Sequence, residues 1–390
     1  MNVGLLTFPG PWGGAEVHTA QLARTLTARG HGATVVCLTS ASYEAYRGHC
    51  AGSVDLALRP TPKEPKSMSF FDWLRFFSGQ PWDRCVLVKG ISDAGNWKLD
   101  LAARSSFGDY VTIEHLVAEL GARTSRRHFG FFPGLGLWWY RALFKRWFRS
   151  VGPRKVICVS DAVGRRLIED YRFPARKVIA VRNGIDIQRF RPDAAHAEAW
   201  RQGSGIPSGS LVFGAVGRFA AMKGYATALA GFQVLLKRFP DQDLRLVLVG
   251  GGGLEQALKA QAEQIVPGGR VLFAPFSDRP WEVLNALDVF VMPSLNEGLP
   301  LALLEAMACG CCPVATAAGG IPEVLSGPEL GWLVPVGDDA AFAAAMIDAT
   351  SRTPEQRATM GKRAREHVRA HFNAGVQFNL LVNIVVSEAT

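Results

Sequence analysis

Through the first half of the chain, short unbroken apolar runs alternate with longer amphipathic stretches. Val3–Phe8, Ala33–Leu38, Arg84–Val88, Tyr110–Ile113 and Val156–Val159 read as strands, and Ala15–Arg29 as the helix between the first two. A second series opens at Leu211–Val216 and continues with Arg245–Val249, Arg270–Phe273, Val289–Met292 and Pro313–Thr316. Strands that alternate with helical stretches pair in parallel, because each crossover returns the chain to the same end of the sheet and lays a helix over one face. Two series of similar length predict an α/β protein with two Rossmann-like domains, residues 1–186 and 211–372. The stretch 182–210 is polar, rich in Gly, Pro and Ser and weakly periodic, which places a linker at 187–210. Open parallel sheets bind ligands beyond the carboxyl ends of their strands, so two domains facing across a cleft are expected to hold the chemistry there.

Composition supports two full cores: 390 residues, 48% of them hydrophobic and 20% charged. No apolar run approaches the ~18–20 residues that a membrane-spanning helix needs. The N-terminal "MNVGLLTFPGPWGG" has no basic flank and reads as a first strand, so a cytoplasmic protein is expected, soluble or peripheral on the inner face of a membrane. Seven scattered cysteines give no paired framework and fit a reducing compartment; Cys309, Cys311 and Cys312 read as small core residues because no second cluster answers them. The net charge of +9 is localised, since residues 121–155 carry nine Lys and Arg and no Asp or Glu. Nine aromatics are interleaved with those cations.

One stretch raises a physical problem. "SLNEGLPLALLEAMACG", residues 294–310, sets Glu297 and Glu305 in an otherwise apolar context, and a buried carboxylate needs a partner that offsets its desolvation. With no matching cation nearby in sequence, vicinal hydroxyls of a sugar or ribose are suitable partners, each carboxylate accepting two hydrogen bonds. Arg218 lies just past the strand 211–216 and Lys223 just before the next helix, where together they are placed to hold a diphosphate. Either cation alone also fits a solvated surface charge. Gly13 and Gly14 separate a strand from a helix and let a ligand approach free backbone N–H groups, although they also fit a simple turn. The loop "VGGGGLEQ" at 249–256 fails the dinucleotide fingerprint, because Glu255 or Gln256 stands where its last glycine belongs. Asp241 and Asp243 have the Asp-x-Asp form of a metal site but precede a strand, and His367 and His371 lack a third ligand.

Taken together, Gly13-Gly14-Ala15-Glu16, Asn183-Gly184-Ile185-Asp186, Gly217-Arg218 with Lys223-Gly224, and "PSLNEGLPLALLEAMACGCCPVATAAGGIPEVL" resemble the retaining GT-B glycosyltransferases of glycosyltransferase family 4. The resemblance runs from residue 8 to residue 336 in the family's order. It implies that Arg218 and Lys223 hold the donor's diphosphate, that Glu305 receives the nucleotide ribose, and that Glu297 contacts the donor sugar near the transferring carbon. It further implies that His115, in "VTIEHLV" after a strand, is the active-site histidine of the first domain. Gly13 and Gly14 would border the diphosphate and the acceptor, and the tail 373–390 would return to the first domain as a helix. Gly251 departs from the acid that many members carry in that loop.

The expected chemistry is transfer from a nucleotide-diphosphate sugar with retention, by front-face attack, Glu297 positioning the sugar without forming a bond to it. Two fixed cations would neutralise the leaving group, so no metal and no cofactor are expected. UDP is the favoured nucleotide. The basic, aromatic segment 121–155 points to an anionic membrane surface and hence to a lipid-linked or cell-envelope glycan acceptor. An amphipathic helix over the first core remains open as its alternative. Nucleic acid is not expected as a partner, because no reading module accompanies the basic segment. Alternatives are a nucleotide-sugar epimerase on a similar fold and a non-catalytic nucleotide- or glycan-binding subunit.

Overall fold

The computed structural model describes residues 1–8, 12–50, 52–89, 97–116, 152–266 and 268–387. Most of the basic, aromatic segment, residues 121–151, lies outside the described residues. The chain divides into two compact units, Met1–Arg182 with Phe378–Thr390, and Asn183–Gln377.

The first unit is a parallel sheet of β1 (Asn2–Thr7), β2 (Gly32–Cys37), β3 (Asp55–Leu58), β4 (Arg84–Lys89), β5 (Tyr110–Glu114), β6 (Lys155–Cys158) and β7 (Val178–Ala180). Its order is β3-β2-β1-β4-β5-β6-β7. Central strands are buried along nearly their whole length, as helix-covered parallel strands must be, which is why they read as unbroken apolar runs. The edge strands β3 and β7 are short and half-buried; β3 opens on Asp55, and β7, although apolar, is too short to stand out in the pattern. Trp73 and Phe77, from the helix Phe70–Phe77, pack with Leu6, Val36, Leu87 and Tyr110 in one core.

Residues 378–387 of the C-terminal helix Ala374–Val386 and its end belong to this first unit. Three arginines hold them. Arg29 Nη1 donates to Asn383 Oδ1 at 2.7 Å, Arg154 Nη2 to the Ile384 carbonyl at 2.8 Å, and Arg84 Nη1 to the Ser387 carbonyl at 2.7 Å. Cations at a helix C-terminus complement its exposed carbonyls and its dipole.

The second unit is a six-stranded parallel sheet of β8 (Leu211–Val216), β9 (Leu244–Val249), β10 (Val271–Ala274), β11 (Val289–Met292), β12 (Cys312–Thr316) and β13 (Trp332–Val334), ordered β10-β9-β8-β11-β12-β13. Its core includes Phe213, Phe232, Leu246, Val291, Phe342 and Met346. Cys309, Cys311 and Cys312 are buried in this unit as free thiols. The stretch expected as a linker, 187–210, is folded within the unit. Asp193 caps the helix Ala194–Gly203 by accepting from the Ala195 and His196 N–H groups, both at 3.1 Å, and Arg201 Nη2 lies 3.0 Å from Asp288 Oδ2.

Both strand orders reverse direction once, between β1 and β4 and between β8 and β11. At such a point the loops leaving the two adjacent strands turn to opposite faces and leave a crevice between them. The position of the crevice is a property of the topology and does not depend on which residues line it.

Candidate functional site

In the second unit the loop after β8 and the loop after β11 meet at this crevice. The first contains Arg218, a turn Ala221–Lys223 and Gly224. Gly224 adopts φ 64°, and a Cβ there would lie 2.0 Å from the Pro293 carbonyl oxygen, so only glycine lets this turn press against the β11 loop. Leu295 N–H donates to the Met222 carbonyl at 2.8 Å and secures the contact. The other side of the β11 loop is clamped by Gly319, where φ is 53° and a Cβ would come within 1.6 Å of the Glu297 carbonyl oxygen.

Held between these two turns, Glu297 is 8% exposed. Lys223 Nζ lies 2.6 Å from its Oε1, and Ser294 Oγ donates to the same oxygen at 2.7 Å. Ser294 is itself fixed, its carbonyl accepting from Thr316 Oγ1 at 2.5 Å. Glu297 therefore has a protein cation, against the expectation that neither glutamate does. The turn that presents Lys223 is adjacent to Glu297 only because β8 and β11 are sheet neighbours, which the spacing of 74 residues conceals. Among the described residues Glu297 Oε2 has no hydrogen-bond partner.

Glu305 is different. It follows Pro300, which caps the helix Leu301–Ala308 where the missing N–H costs nothing. It is half-buried, and burial pushes its carboxyl from the usual 4.5 up to about 7, against the opposing pull of Arg189. No cation among the described residues lies within ion-pair distance of it. Arg218, one residue past the Gly217 turn, is exposed and pairs with no described carboxylate. The Asn183-Gly184-Ile185-Asp186 motif supports this region: Asn183 Nδ2 donates to the Leu299 carbonyl at 2.7 Å, beside the Pro300 cap. The structure thus gathers Arg218, Lys223 and Glu297 at the crevice, with Glu305 in the helix that follows. Asp243 is occupied otherwise, accepting from Ser210 Oγ at 2.5 Å and Arg245 Nε at 2.9 Å.

In the first unit Gly13 caps the helix Gly14–Ala28 without a side-chain hydrogen bond to its first turn. His115 directly follows β5, and its N–H donates to the Lys89 carbonyl at 3.1 Å. Its ring meets that of His18 edge-on at 4.7 Å, and His18 in turn packs on Phe378 at 4.9 Å. Burial lowers the His115 pKa to about 4, while burial and then the neighbouring His115 take His18 well below its usual value. Both rings are neutral at pH 7. Beneath them Lys89 Nζ lies 3.4 Å from Glu114 Oε1 and 3.6 Å from Asp100 Oδ1. Burial acts to lower the Lys89 pKa, but the two carboxylates outweigh it and hold it raised. His18, Lys89 and Asp100 were missed because each reads as an ordinary helix or strand residue.

Against known families, residues 196–367 match the model "Glycosyl transferases group 1" and residues 12–189 the model "Glycosyltransferase Family 4". The chain belongs to glycosyltransferase family 4. A D-inositol 3-phosphate glycosyltransferase of Corynebacterium urealyticum is 34% identical to this family 4 protein over 222 residues, 54% of this chain and 52% of that protein. A putative colanic acid biosynthesis glycosyltransferase of Escherichia coli, WcaL, is 31% identical over 61% of this chain and 56% of its own length. The chain thus spans about half the length of these curated relatives. The solved structure of Anabaena Alr3699/HepE in complex with UDP-glucose superposes over 100% of both chains with a TM-score of 0.78 at 19% identity, so the fold is GT-B.

Proposed function

We propose that the chain is a metal-independent, retaining hexosyltransferase that takes its sugar from a nucleoside diphosphate sugar, UDP first among the candidates. The acceptor in this reading is a lipid-linked or cell-envelope glycan at the cytoplasmic face of a membrane. The observation that carries the reading is the unequal treatment of the two glutamates: Glu297 is locked to Lys223 and Ser294 by one oxygen, whereas Glu305 is raised to about 7 and has no cation within ion-pair distance among the described residues. A carboxyl left in that state suits ribose hydroxyls, and the second oxygen of Glu297 suits a hydroxyl of the donor sugar. Arg218 and Lys223 would receive the diphosphate, which supplies charge neutralisation where a metal would otherwise be needed. The UDP-glucose bound to Anabaena Alr3699/HepE and the sugar-transferring names of the curated relatives support the same donor class.

In the proposed reaction the acceptor hydroxyl oxygen attacks the anomeric carbon from the face that the diphosphate leaves. The bond from that carbon to the phosphate oxygen breaks, the new glycosidic bond forms, and the hydroxyl proton passes to the departing phosphate oxygen. Glu297 orients the sugar and forms no bond to carbon. In the first unit neutral His115 would offer a ring nitrogen to substrate, and Gly13 and Gly14 an open helix N-terminus to phosphate.

No helix among the described residues is long and apolar enough to cross a membrane, so membrane contact in this reading is peripheral and falls to residues 121–155. UDP-, GDP- and ADP-sugars screened for thermal stabilisation test the donor, and NMR of the product in EDTA tests retention and metal independence. An inverted product would overturn the mechanism, and a rearranged sugar released without acceptor would assign an epimerase. Flotation with anionic and neutral vesicles tests the surface, equal recovery with both counting against it.

A further inference from the structure

The helix Tyr225–Arg238 begins at Tyr225, immediately after the Gly224 turn that fixes the chain against Pro293. Tyr225 is 5% exposed. Its ring is set by Phe219, edge-on at a centroid distance of 5.1 Å. A methyl group placed on Gly217 would sit 2.9 Å from Tyr225 Oη, so the phenol tip lies against the residue that precedes Arg218. Glu297 is close enough to act on the same group, adding to burial in raising its pKa, and the phenol remains a hydrogen-bond donor. Among the described residues that hydroxyl has no hydrogen-bond partner. The ring is buried but the oxygen keeps some accessible surface, so the tip is open to a partner from outside the chain, and Tyr oxygens in such places ordinarily find one.

We infer that Tyr225 is a further binding residue of the donor site, its hydroxyl donating a hydrogen bond to a phosphate oxygen of the diphosphate between Arg218 and Glu297. This rests on the donor reading above and deepens it. The phenol adds a short-range, directional donor to the two cations. Because it is carried on the first residue of a helix and wedged between Phe219 and Gly217, it is already in place before ligand arrives, and no side-chain freedom is lost on binding. Lys223 and Ser294 bind Glu297 Oε1 and not the phenol, and among the described residues no hydrogen bond joins the phenol to Glu297.

The test compares wild type and Tyr225→Phe in calorimetric titrations with UDP, GDP, ADP and the three parent nucleosides. Phenylalanine keeps the ring contact with Phe219 and removes the oxygen alone, so the unliganded melting temperature should be unchanged or slightly higher. A hydrogen bond to a charged partner is worth enough that the bound nucleoside diphosphate should weaken about tenfold or more. The corresponding nucleoside should be unaffected, a split that loss of packing would not produce. Equal affinity of wild type and variant for the diphosphate overturns the assignment while leaving the donor reading intact. A nucleoside that weakens as much as its diphosphate also overturns it, since the oxygen would then not be serving phosphate. If wild type binds none of the three diphosphates, the donor reading itself fails and this assignment with it.

Discussion

Glu297→Gln separates holding Lys223 from positioning the sugar. Glutamine keeps an acceptor oxygen for Ser294 but removes the charge, leaving Lys223 Nζ beside a neutral amide. The Lys223 side chain is 24% exposed and that of Glu297 is 9% exposed. Breaking a fully buried pair costs ~3–5 kcal/mol, and the access of water to Lys223 reduces this to about 1–2 kcal/mol. At ~2–4 °C per kcal/mol for a domain of this size, the melting temperature should fall by a few degrees. Nucleoside diphosphate affinity should hold or rise, because a lysine released from its carboxylate is a stronger phosphate ligand. Turnover at saturating donor should drop about a hundredfold, ~2.7 kcal/mol of lost transition-state stabilisation. The assays are differential scanning calorimetry, titration with UDP and single-turnover kinetics on the same preparation. Loss of UDP binding as large as the loss of turnover would refute the assignment, as would unchanged turnover.

Glu305→Gln tests the second carboxyl through pH. Its folded pKa of about 7 stands above the ordinary 4.5, so the native state binds the proton more tightly and wild-type stability falls as pH rises from 4.5 to 7. The glutamine variant should lack that decline and be more stable than wild type at pH 8 by about 1–3 kcal/mol in urea titrations, while binding nucleoside diphosphate more weakly. His115→Gln has the opposite acid signature. The native ring is depressed from 6.5 to about 4, so wild type loses stability as pH falls through that window, and the variant should lose less over the same range. Gly319→Ala would drive a methyl group into the Glu297 backbone at 1.6 Å and at positive φ. It should cost several kcal/mol, about 3 or more, and be seen as a large drop in the melting transition of the second unit, with donor binding abolished.

The central strands were legible because helix-covered parallel strands must be apolar on both faces, and β1, β2, β4 and β8 announce themselves for that reason. The edges were not: β3 and β13 are exposed along part of their length and are too short to stand out in the pattern. The polar stretch at 187–210 looked like a linker because the helix Ala194–Gly203 packs through small and half-buried residues, which leave no strong periodic signal. Arg218, Lys223, Glu297 and Glu305 were singled out from residue type and from their positions in and just after strand-end loops. Their chemical states were not. Whether a carboxylate is paired depends on what a neighbouring strand's loop delivers to it, and local sequence contains no term for that.

By itself, then, the sequence established two parallel α/β units and the loops that leave their strands, since both follow from apolar runs and from glycines at strand ends. Only the tertiary structure decided that Lys223 closes on Glu297 while Glu305 has no ion-pair partner among the described residues, and that Tyr225 brings its hydroxyl against Gly217. The Lys223–Glu297 pairing is set by β8 lying beside β11, and contact between residues far apart in the chain is created by strand order and not by sequence distance.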